Sequence, residues 1–461
     1  MRQGLRFVVG IVLARLLSPE EFGTVALLYL FTGIASVFVD SGFSAALVQR
    51  QDITHTDEST VFWSNLTIGA LVALALWAAA PAIASFYALP LLVPLTAVMA
   101  LNIFLSALGS IHGTLLTKRL DFRTQMKVGA IATMLSGAVA VYMAFRGYGV
   151  WALAAQTLLE TGATTALLWV FNGWRPALIF SWESARRLFR FGGFMLASGL
   201  IDITYNRAYT LLIGKFYGVR ELGFYSRADN TKQLPVGVLA NILGRVALPL
   251  FSAVAHDTAK LRRGVQLALR GMMLLNVPMM LGLAAVAEPL VLTLFGAQWL
   301  PAVPIMQVLC LSGVFWPLHV INLSVLTAQG YSDLFFRLEV VKKLMGVCLL
   351  AVGTFYGMMG IAWSQVVIGI LGFAINAHYT KRHLDYGAIA QTRDFLPMIA
   401  ISLPMAVVVH WVGTQLRMAP AVELLSLTVL GMLIFLILGW ALRLVALHEV
   451  INLFKLRKLT A

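Results

Sequence analysis

The sequence predicts an all-α, multi-pass membrane protein with about fourteen membrane-spanning helices. Of its 461 residues, 60% are hydrophobic and only 12% are charged, whereas a soluble domain carries about 25% charged residues. Apolar stretches recur along the whole chain, and each is long enough to cross a hydrocarbon core of roughly 30 Å as a helix. The connections between them are too short to form a soluble catalytic domain.

Fourteen spans are predicted, each an apolar run bounded by polar or turn-forming residues. In chain order they cover residues 3–18, 23–47, 61–84, 90–116, 128–146, 149–171, 191–218, 233–254, 265–287, 303–328, 343–358, 360–378, 395–415 and 421–445. The first run has the basic start of a signal peptide but no small-residue cleavage site, so it is expected to remain as the first helix. Its apolar part is short, which means that Arg15 lies inside the helix or that the natural chain begins earlier.

The distribution of the net charge of +14 predicts the topology. Connections that follow even-numbered spans hold most of the lysines and arginines, at a ratio of roughly four to one. Examples are Lys118, Arg119, Arg123 and Lys127 after the fourth span. This bias predicts that both termini are cytoplasmic. It also assigns the positive charge to contact with anionic lipid head groups and not with nucleic acid.

The connection of residues 172–190 is the longest, and it is amphipathic. It is predicted to form a surface helix from near Ser181, with Trp182, Leu188 and Phe189 toward lipid. Its expected role is to link two halves of the chain.

Two short motifs recur at matching places in the two halves and predict an internal repeat. The stretches LARLLSPEEFG (13–23) and IGKFYGVRELG (213–223) share a cation, a carboxylate and a glycine at equal spacing, and GYGVWA (147–152) resembles MMGIAW (358–363). With six spans in each unit, the two units have the same orientation, as in transporters built from parallel repeats. The predicted parts are an N-terminal six-helix lobe (1–171), the linker (172–190), a C-terminal six-helix lobe (191–378), and two extra helices with the tail (379–461). The two lobes are expected to face a central cavity.

Polar residues inside the spans are informative, because a charge at the bilayer centre costs about 2.5–3.5 kcal/mol on insertion scales. The stretch LIDITYNRAYTLLIGK (200–215) is the densest, and it places Asp202, Tyr205, Asn206 and Tyr209 on one helical face that must meet protein or water. Arg207 lies about 140° around the helix from Asp202, so it needs a partner on another helix or a ligand. Other polar residues within spans are Arg15, Asp40, Glu160, Lys215, Asn241 and Arg245. Together they predict a hydrated, net cationic cavity built mostly from spans one, two, seven and eight.

Structural interpretations of the same residues stay open. The polar stripe could hold two helices together by hydrogen bonds alone, and Arg207 could pair with Asp40 across a helix interface. Arg15 and Lys215 could anchor helix ends at the head groups. The carboxylates Asp40 and Glu160 could couple ions or could neutralise buried cations.

Motifs of soluble enzymes do not occur in the sequence, which has no P-loop, no nucleophile elbow, no H-E-x-x-H and no C-x-x-C. The histidines are scattered, and Cys310 and Cys348 lie in apolar runs, where they are expected to be small buried residues. These features predict membrane transport without an ATPase in the same chain. No enzymatic activity, metal or bound cofactor is expected, apart from H⁺ or Na⁺ as a coupling ion.

Five stretches carry a family resemblance, namely VLARLLSPEEFGTVALL (12–28), DSGFSAALVQR (40–50), GYGVWAL (147–153), FGGFMLASGL (191–200) and FYGVRELGFYSRA (216–228). They resemble the Wzx-type polysaccharide flippases of the multidrug/oligosaccharidyl-lipid/polysaccharide exporter superfamily. The resemblance covers most of the chain and implies fourteen helices in two related lobes. The stretch at 13–23 is most similar to the branch that handles colanic-acid-like and other exopolysaccharide repeat units.

The resemblance implies that the substrate is undecaprenyl diphosphate carrying an oligosaccharide repeat unit. Alternating access would move it from the cytoplasmic to the periplasmic leaflet of the bacterial inner membrane. The expected diphosphate ligands are Arg245, Arg207, Lys215 and Arg15, since cations bind phosphate oxygens. The expected sugar contacts are Tyr205, Asn206, Tyr209 and Asn241. The expected ion-coupling residues are Asp40, Asp202 and Glu160. Expected partners are this lipid-linked oligosaccharide, membrane lipids, and the polysaccharide polymerase and export machinery.

Other functions remain open at this point. A multidrug or lipid II exporter would have the same fold. A membrane polysaccharide polymerase or ligase would need a large periplasmic loop with catalytic residues, and the predicted connections are too short for one. A structural scaffold would have little reason to bury Arg207 and Arg245.

Overall fold

The computed structural model is all-helical over the residues that it describes, which are 2–40, 42–50, 52–416, 418–442 and 444. The side chains of residues 2, 190, 191, 241, 242, 245, 246 and 248 are not among them. The helical architecture confirms the predicted fold class. By its internal packing the chain divides into two units, Met1–Ser226 and Arg227–Ala461, called here the first and the second unit. The lobe boundaries inferred from the repeat stay a prediction.

The helices of the first unit are α1 (Arg2–Leu16), α2 (Pro19–Asp40), α3 (Phe43–Gln49), α4 (His55–Tyr87), α5 (Leu92–Lys118), α6 (Phe122–Phe145), α7 (Val150–Phe171), α8 (Trp182–Phe216) and the start of α9 (Gly218–Ala253). The second unit holds the rest of α9, then α10 (Thr258–Ala285), α11 (Ala287–Leu294), a 3₁₀ turn (Ala297–Trp299), α12 (Ala302–Val314), α13 (Trp316–Ala328), α14 (Ser332–Thr354), α15 (Gly357–Leu384), α16 (Ala388–Gln415) and α17 (Pro420–Ala441).

Every predicted span overlaps a helix, and two spans are divided. The span at 23–47 becomes α2 and α3, and Gly42 with a φ of 69° precedes α3. The span at 303–328 becomes α12 and α13, which break at Phe315 before Pro317. Among the described residues, nine helical segments are long and apolar enough to cross a membrane. The chain is therefore a multi-pass membrane protein, and the number of crossings stays a prediction.

The amphipathic linker is the first part of a longer helix. Ser181 caps α8 as predicted, because its hydroxyl accepts a hydrogen bond from the amide of Ser184 at 3.2 Å. The helix then continues to Phe216 without interruption. Trp182 and Phe189 are exposed, but the prediction for Leu188 is wrong: it is fully buried in a core with Phe62 and others. Leu188 lies about 100° around the helix from Phe189, on the side that meets the protein.

The packing of each unit follows from apolar helix faces. In the first unit, α4 packs on α5, and α2 packs on α8. Helix α7 packs on both α5 and α6. In the second unit α10 lies between α12 and α16, and α15 packs on α14. Cys310 is buried as predicted, whereas the same expectation for Cys348 is wrong, since its side chain is exposed. Asp121 caps α6, and hydrogen bonds from the hydroxyl and amide of Thr124 lower the pKa of Asp121.

The repeated glycines allow two helices to touch through their backbones. A Cβ atom at Gly23 in α2 would overlap the carbonyl oxygen of Val219, and a Cβ at Gly223 in α9 would overlap the carbonyl oxygen of Pro19. These reciprocal contacts join equivalent positions of the two recurring motifs. An ion pair between Arg220 and Glu20, at 3.2 Å, flanks the crossing. The recurrence of glycine at this position therefore has a packing cause.

The repeated carboxylate has a local role at the start of α2. Ser18 donates to Glu21 Oε2 from its amide at 2.6 Å and from its hydroxyl at 3.0 Å, and the amide of Glu21 donates back to Ser18 Oγ at 3.3 Å. This reciprocal pair is a capping box. Glu21 also lies against Gly149, whose φ is 56°, so that a side chain at 149 would meet the carboxylate. The two motifs that predicted the repeat therefore meet in the first unit.

Candidate functional site

The carboxylate of Glu160 is the centre of a polar cluster in the first unit. Its Oε1 accepts hydrogen bonds from Arg6 Nε at 2.8 Å and Arg6 Nη2 at 2.6 Å, and from the Thr133 hydroxyl at 2.9 Å. The Glu160 side chain is 13% exposed and that of Arg6 is 49% exposed. Charge-assisted bonds of this kind are the stronger class of hydrogen bond. They join α1, α6 and α7 at one point.

Tyr29 of α2 completes the cluster. Its hydroxyl lies 2.9 Å from Thr157 Oγ1, one turn before Glu160 on α7. The Thr157 hydroxyl donates its single hydrogen to the Leu153 carbonyl at 3.1 Å, so Tyr29 is the donor in the pair. The Tyr29 hydroxyl is also within electrostatic range of Glu160, Arg6 and Arg207.

The cluster lies at the mid-depth of its helices. Tyr29, Thr133 and Glu160 are near the centres of α2, α6 and α7, which have 22, 24 and 22 residues. Helices of this size are about 33–36 Å long, so their centres fall near the middle of a hydrocarbon core of about 30 Å. Ionisable residues at this depth are rare and usually functional.

Arg207 reaches the same region from α8. A methyl group placed at Gly33 of α2 would lie 3.3 Å from Ile203 Cδ1 and 3.5 Å from Arg207 Nε. The absence of a side chain at Gly33 therefore lets the guanidinium group pack closely against α2. Arg6, Arg207 and Glu160 thus bring two cationic side chains and one carboxylate to this region, and the predicted cationic cavity stays a prediction.

A polar face of α2 extends from the cluster. Tyr29, Ser36 and Asp40 follow helical spacing, and all three are exposed. On α8, Asp202 and Asn206 are exposed and Tyr205 is half-buried. Lipid tails cannot hydrogen-bond to such groups. These faces are consequently suited to contact water or a polar ligand.

Comparison with known proteins identifies the family. Residues 12–304 match the model of a family described as polysaccharide biosynthesis protein. Teichuronic acid biosynthesis protein TuaB of Bacillus subtilis (strain 168) is 30% identical, over 83% of this chain and 80% of that protein. The chain belongs to the polysaccharide biosynthesis protein family. Succinoglycan biosynthesis transport protein ExoT of Rhizobium meliloti (strain 1021) is 27% identical, over 94% of this chain and 89% of that protein.

A solved structure supports the same fold. The lipid II flippase MurJ in an inward closed conformation superposes with a TM-score of 0.76 at 16% sequence identity, covering 95% of this chain and 97% of that one. The family match confirms the resemblance that the sequence motifs carry. The superposition shows that the two chains share one helical fold.

Lys215 and Arg15, two other predicted phosphate ligands, lie away from the Glu160 cluster. Lys215 ends α8, donates to the Phe86 carbonyl, and lies 4.2 Å from the centroid of the Phe86 ring. It is about 12 Å from Arg207 along the helix axis. Arg15 is exposed in the last turn of α1, about 13 Å from Arg6 along α1. These positions agree with residues that anchor helix ends.

The remaining predicted residues have different surroundings. Tyr209 is buried and stacks on Tyr225, with ring centroids 6.3 Å apart and an interplanar angle of 8°. Asp40 is exposed and makes no ion pair within the described part of the chain, so its alternative pairing with Arg207 is not observed. Arg245 and Asn241 belong to α9, but their side chains lie outside the described residues.

Sequence reasoning missed four members of the cluster: Arg6, Tyr29, Thr133 and Thr157. It left open that Glu160 neutralises a cation, and this is what the structure contains. One signal was available, because Arg6 and Glu160 are opposite charges that both lie inside predicted spans. Neither their contact nor the participation of uncharged hydroxyl groups follows from local sequence.

A second mid-depth ion pair occurs in the second unit, in a part of the chain that was predicted to be a connection between spans. Arg227 and Lys232 were predicted to lie in a connection outside the membrane, yet both belong to α9. Lys232 is only 5% exposed, and its Nζ lies 2.7 Å from Asp229 Oδ1 and 3.3 Å from Gln365 Oε1. The guanidinium carbon of Arg227 lies 4.8 Å from the ring centroid of Phe295. Pairing and ring contacts allow these cations to be part of a packed helix.

Proposed function

We propose that this protein is a flippase that moves undecaprenyl-diphosphate-linked oligosaccharide repeat units from the cytoplasmic to the periplasmic leaflet by alternating access. The observation that carries the proposal is the Arg6–Glu160 pair at mid-depth beside Arg207, in a member of the polysaccharide biosynthesis family. The names of a related transport protein and of the flippase with a similar fold support it.

The cluster has the chemistry that a diphosphate needs. Arginine presents several N–H donors in a plane and binds phosphate oxygens in pairs. Arg6 is 49% exposed, so an incoming phosphate can replace Glu160 as its acceptor. The hydroxyl and amide groups of Tyr29, Tyr205 and Asn206 are suited to sugar hydroxyls. Further proposed ligands are Arg245, Lys215, Arg15, Tyr209 and Asn241.

The membrane potential favours the proposed direction of transport. Moving about two negative charges outward across a membrane whose interior is negative by ~100 mV releases roughly 4–5 kcal/mol. When Arg6 turns to the phosphate, Glu160 loses its counter-charge and can take up H⁺ or Na⁺. Glu160 is therefore the first proposed coupling residue, and Asp40 and Asp202 are the others. The proposal involves no enzymatic activity and no bound cofactor.

The proposed location is the bacterial inner membrane, with both termini in the cytoplasm. The charge bias of the connections supports this orientation. The proposed partners, besides the lipid-linked oligosaccharide and the surrounding lipids, are the polysaccharide polymerase and the export machinery that receive the repeat unit.

A deletion strain tests the function. We expect cells without this protein to continue the synthesis of lipid-linked repeat units and to accumulate them on the cytoplasmic leaflet. The wild-type chain should restore export, whereas Arg207→Ala and Arg245→Ala should not. Arg146→Ala, which changes an exposed arginine at the end of α6, is the matched control and should restore export.

Three outcomes would contradict the proposal. Loss of repeat-unit synthesis in the deletion strain would indicate an enzyme. Normal export with a defect only in lipid II or drug transport would indicate another exporter with this fold. Full export by the Arg207→Ala and Arg245→Ala chains would place the phosphate site elsewhere.

A further inference from the structure

A buried lysine in the second unit has the surroundings of a bound metal cation. Lys232 has a side chain that is only 7% exposed, and its ammonium group lies 2.7 Å from a carboxylate oxygen of Asp229, whose side chain is 31% exposed. It donates its other close hydrogen bond to the amide oxygen of Gln365 at 3.3 Å. Carboxylate and amide oxygens are also the ligands that hard metal cations prefer.

The lysine lies beside a break in a membrane-spanning segment. Pro317 has no amide hydrogen, so the carbonyl of Gly313, four residues earlier, loses its helical donor. Asn276 of α10 replaces that donor: its side-chain nitrogen donates to the carbonyls of Gly313 and Val314, at 3.1 Å each. A methyl group at Gly313 would lie 3.7 Å from Lys232 Cδ, so the lysine stem runs past the break.

The same bonds fix the orientation of the Asn276 side chain. Because the Asn276 nitrogen faces the two carbonyls, its Oδ1 points away from them, is fully buried, and has no hydrogen-bond partner within the described part of the chain. The ammonium group of Lys232 therefore contacts a carboxylate oxygen and an amide oxygen, beside a carbonyl freed by Pro317.

The site lies at mid-depth. Asn276 is about 14 Å from the end of α10, and Gln365 is about 12 Å from the start of α15, at 1.5 Å per residue.

We propose that the ammonium group of Lys232 is a built-in counter-ion that occupies a monovalent-cation site at the α12–α13 break. The ammonium group permanently neutralises Asp229, as a bound Na⁺ would in a chain without the lysine. The native protein consequently needs no Na⁺ at this site, and loss of the lysine charge creates a Na⁺ site on Asp229. This inference does not depend on the substrate proposed above.

The experiment uses the purified full-length chain in detergent. The thermal midpoint is measured in NaCl and in choline chloride at equal ionic strength, for the wild type and for Lys232→Met. We expect Na⁺ to raise the midpoint of Lys232→Met by at least about 2 °C with saturation, as a ligand of the folded state does. For the wild type we expect a smaller difference between the midpoints in NaCl and in choline chloride. The double variant Asp229→Asn with Lys232→Met should show a difference no larger than that of the wild type.

The chain offers a matched control in a second Asp–Lys pair with the same spacing. Lys260 lies 3.0 Å from Asp257, but the two side chains are 75% and 43% exposed. Lys260→Met should show no specific response to Na⁺, because water already solvates Asp257.

Equal midpoints of Lys232→Met in NaCl and choline chloride would overturn the proposal. An equal Na⁺ response of Lys260→Met would overturn it as well. Lys232→Gln serves as a second neutral variant if Lys232→Met does not fold. If neither variant folds in cells grown in a sodium-rich medium, the lysine is not replaceable by the cation, and the proposal is wrong.

Discussion

One mid-depth ion pair from each unit, both among the described residues, can be compared, and the two are built in opposite ways. Arg6 and Glu160 belong to different helices, and the arginine is 49% exposed. Asp229 and Lys232 are three residues apart on one helix, and the lysine is 7% exposed. The first pair can separate when a ligand arrives or when helices move. The second pair stays together for as long as α9 is a helix.

The difference assigns different tasks to the pairs. A pair between helices with an accessible arginine can exchange partners, which suits the binding of an anionic substrate and the coupling of an ion. A local, buried pair neutralises charge without exchange and so mainly stabilises its surroundings. Substitutions should therefore distinguish the roles of the two pairs. Changes to the Asp229–Lys232 pair should mainly lower stability, and changes to the Arg6–Glu160 pair should mainly lower transport.

The largest loss of stability is expected at the crossing of α2 and α9, where Gly23 and Gly223 each lie against the backbone of the other helix. Gly23→Ala places a Cβ atom on the Val219 carbonyl oxygen, and the helices must move apart. Overpacking usually destabilises by 1–3 kcal/mol. Because this contact is with backbone, we expect a loss of more than about 3 kcal/mol, measured as the thermal midpoint and the yield of folded protein.

Gly113→Ala is the control for this change, since nothing lies within 4 Å of a Cβ atom at that helical position. It should be neutral or stabilising by up to about 1 kcal/mol. Equal midpoints for Gly23→Ala and Gly113→Ala would mean that the backbones do not touch at the crossing.

Asp229→Asn should have the next largest effect. It leaves the Lys232 charge buried without its carboxylate, and breaking a buried pair in this way costs about 3–5 kcal/mol. Because Asp229 is 31% exposed, we expect the lower part of that range, about 3 kcal/mol. The thermal midpoint should fall, while transport per folded molecule should change little. A wild-type midpoint would show that Lys232 has another counter-charge.

Asn276→Leu tests the helix break and should destabilise by about 2 kcal/mol, because it leaves two buried carbonyls without a donor. A second substitution gives the control. Pro317→Ala restores the amide that helical geometry directs to the Gly313 carbonyl. Asn276→Leu should therefore be less harmful in the Pro317→Ala background. Additive effects of the two changes, measured by thermal unfolding, would contradict this account.

The sequence predicted most helices because hydropathy reports apolar length, and it identified Gly23, Gly223 and Glu160 as positions that matter. It failed where polar residues pair inside a helix. The start of α9, from Arg220 to Lys232, was predicted to be an external connection. It is helical because its charges find partners, such as Asp229 for Lys232. A hydropathy average cannot include such pairing.

The candidate site was only partly predictable for a related reason. Glu160 and Arg207 could be found, because single charges in apolar runs are conspicuous. Their neighbours could not, since the Arg6–Glu160 contact joins residues that are distant in the chain, and Tyr29 has no charge. The break before Pro317 was also missed, because the apolar run continues through it.

Glu160→Gln should have the smallest effect on stability and a large effect on transport. Arg6 is half-exposed and can be solvated when the carboxylate is gone, so we expect a loss of about 1 kcal/mol or less. Transport should fall at least about tenfold if Glu160 exchanges Arg6 for H⁺ or Na⁺, since a glutamine cannot take up either. Export in a deletion strain and the thermal midpoint measure the two effects on the same variant. Glu423→Gln, a change in the first turn of α17, is a control with normal expected export. If Glu160→Gln is strongly destabilised and its export falls only in proportion to the folded protein, the Arg6–Glu160 pair is a structural pair like that of Asp229 and Lys232.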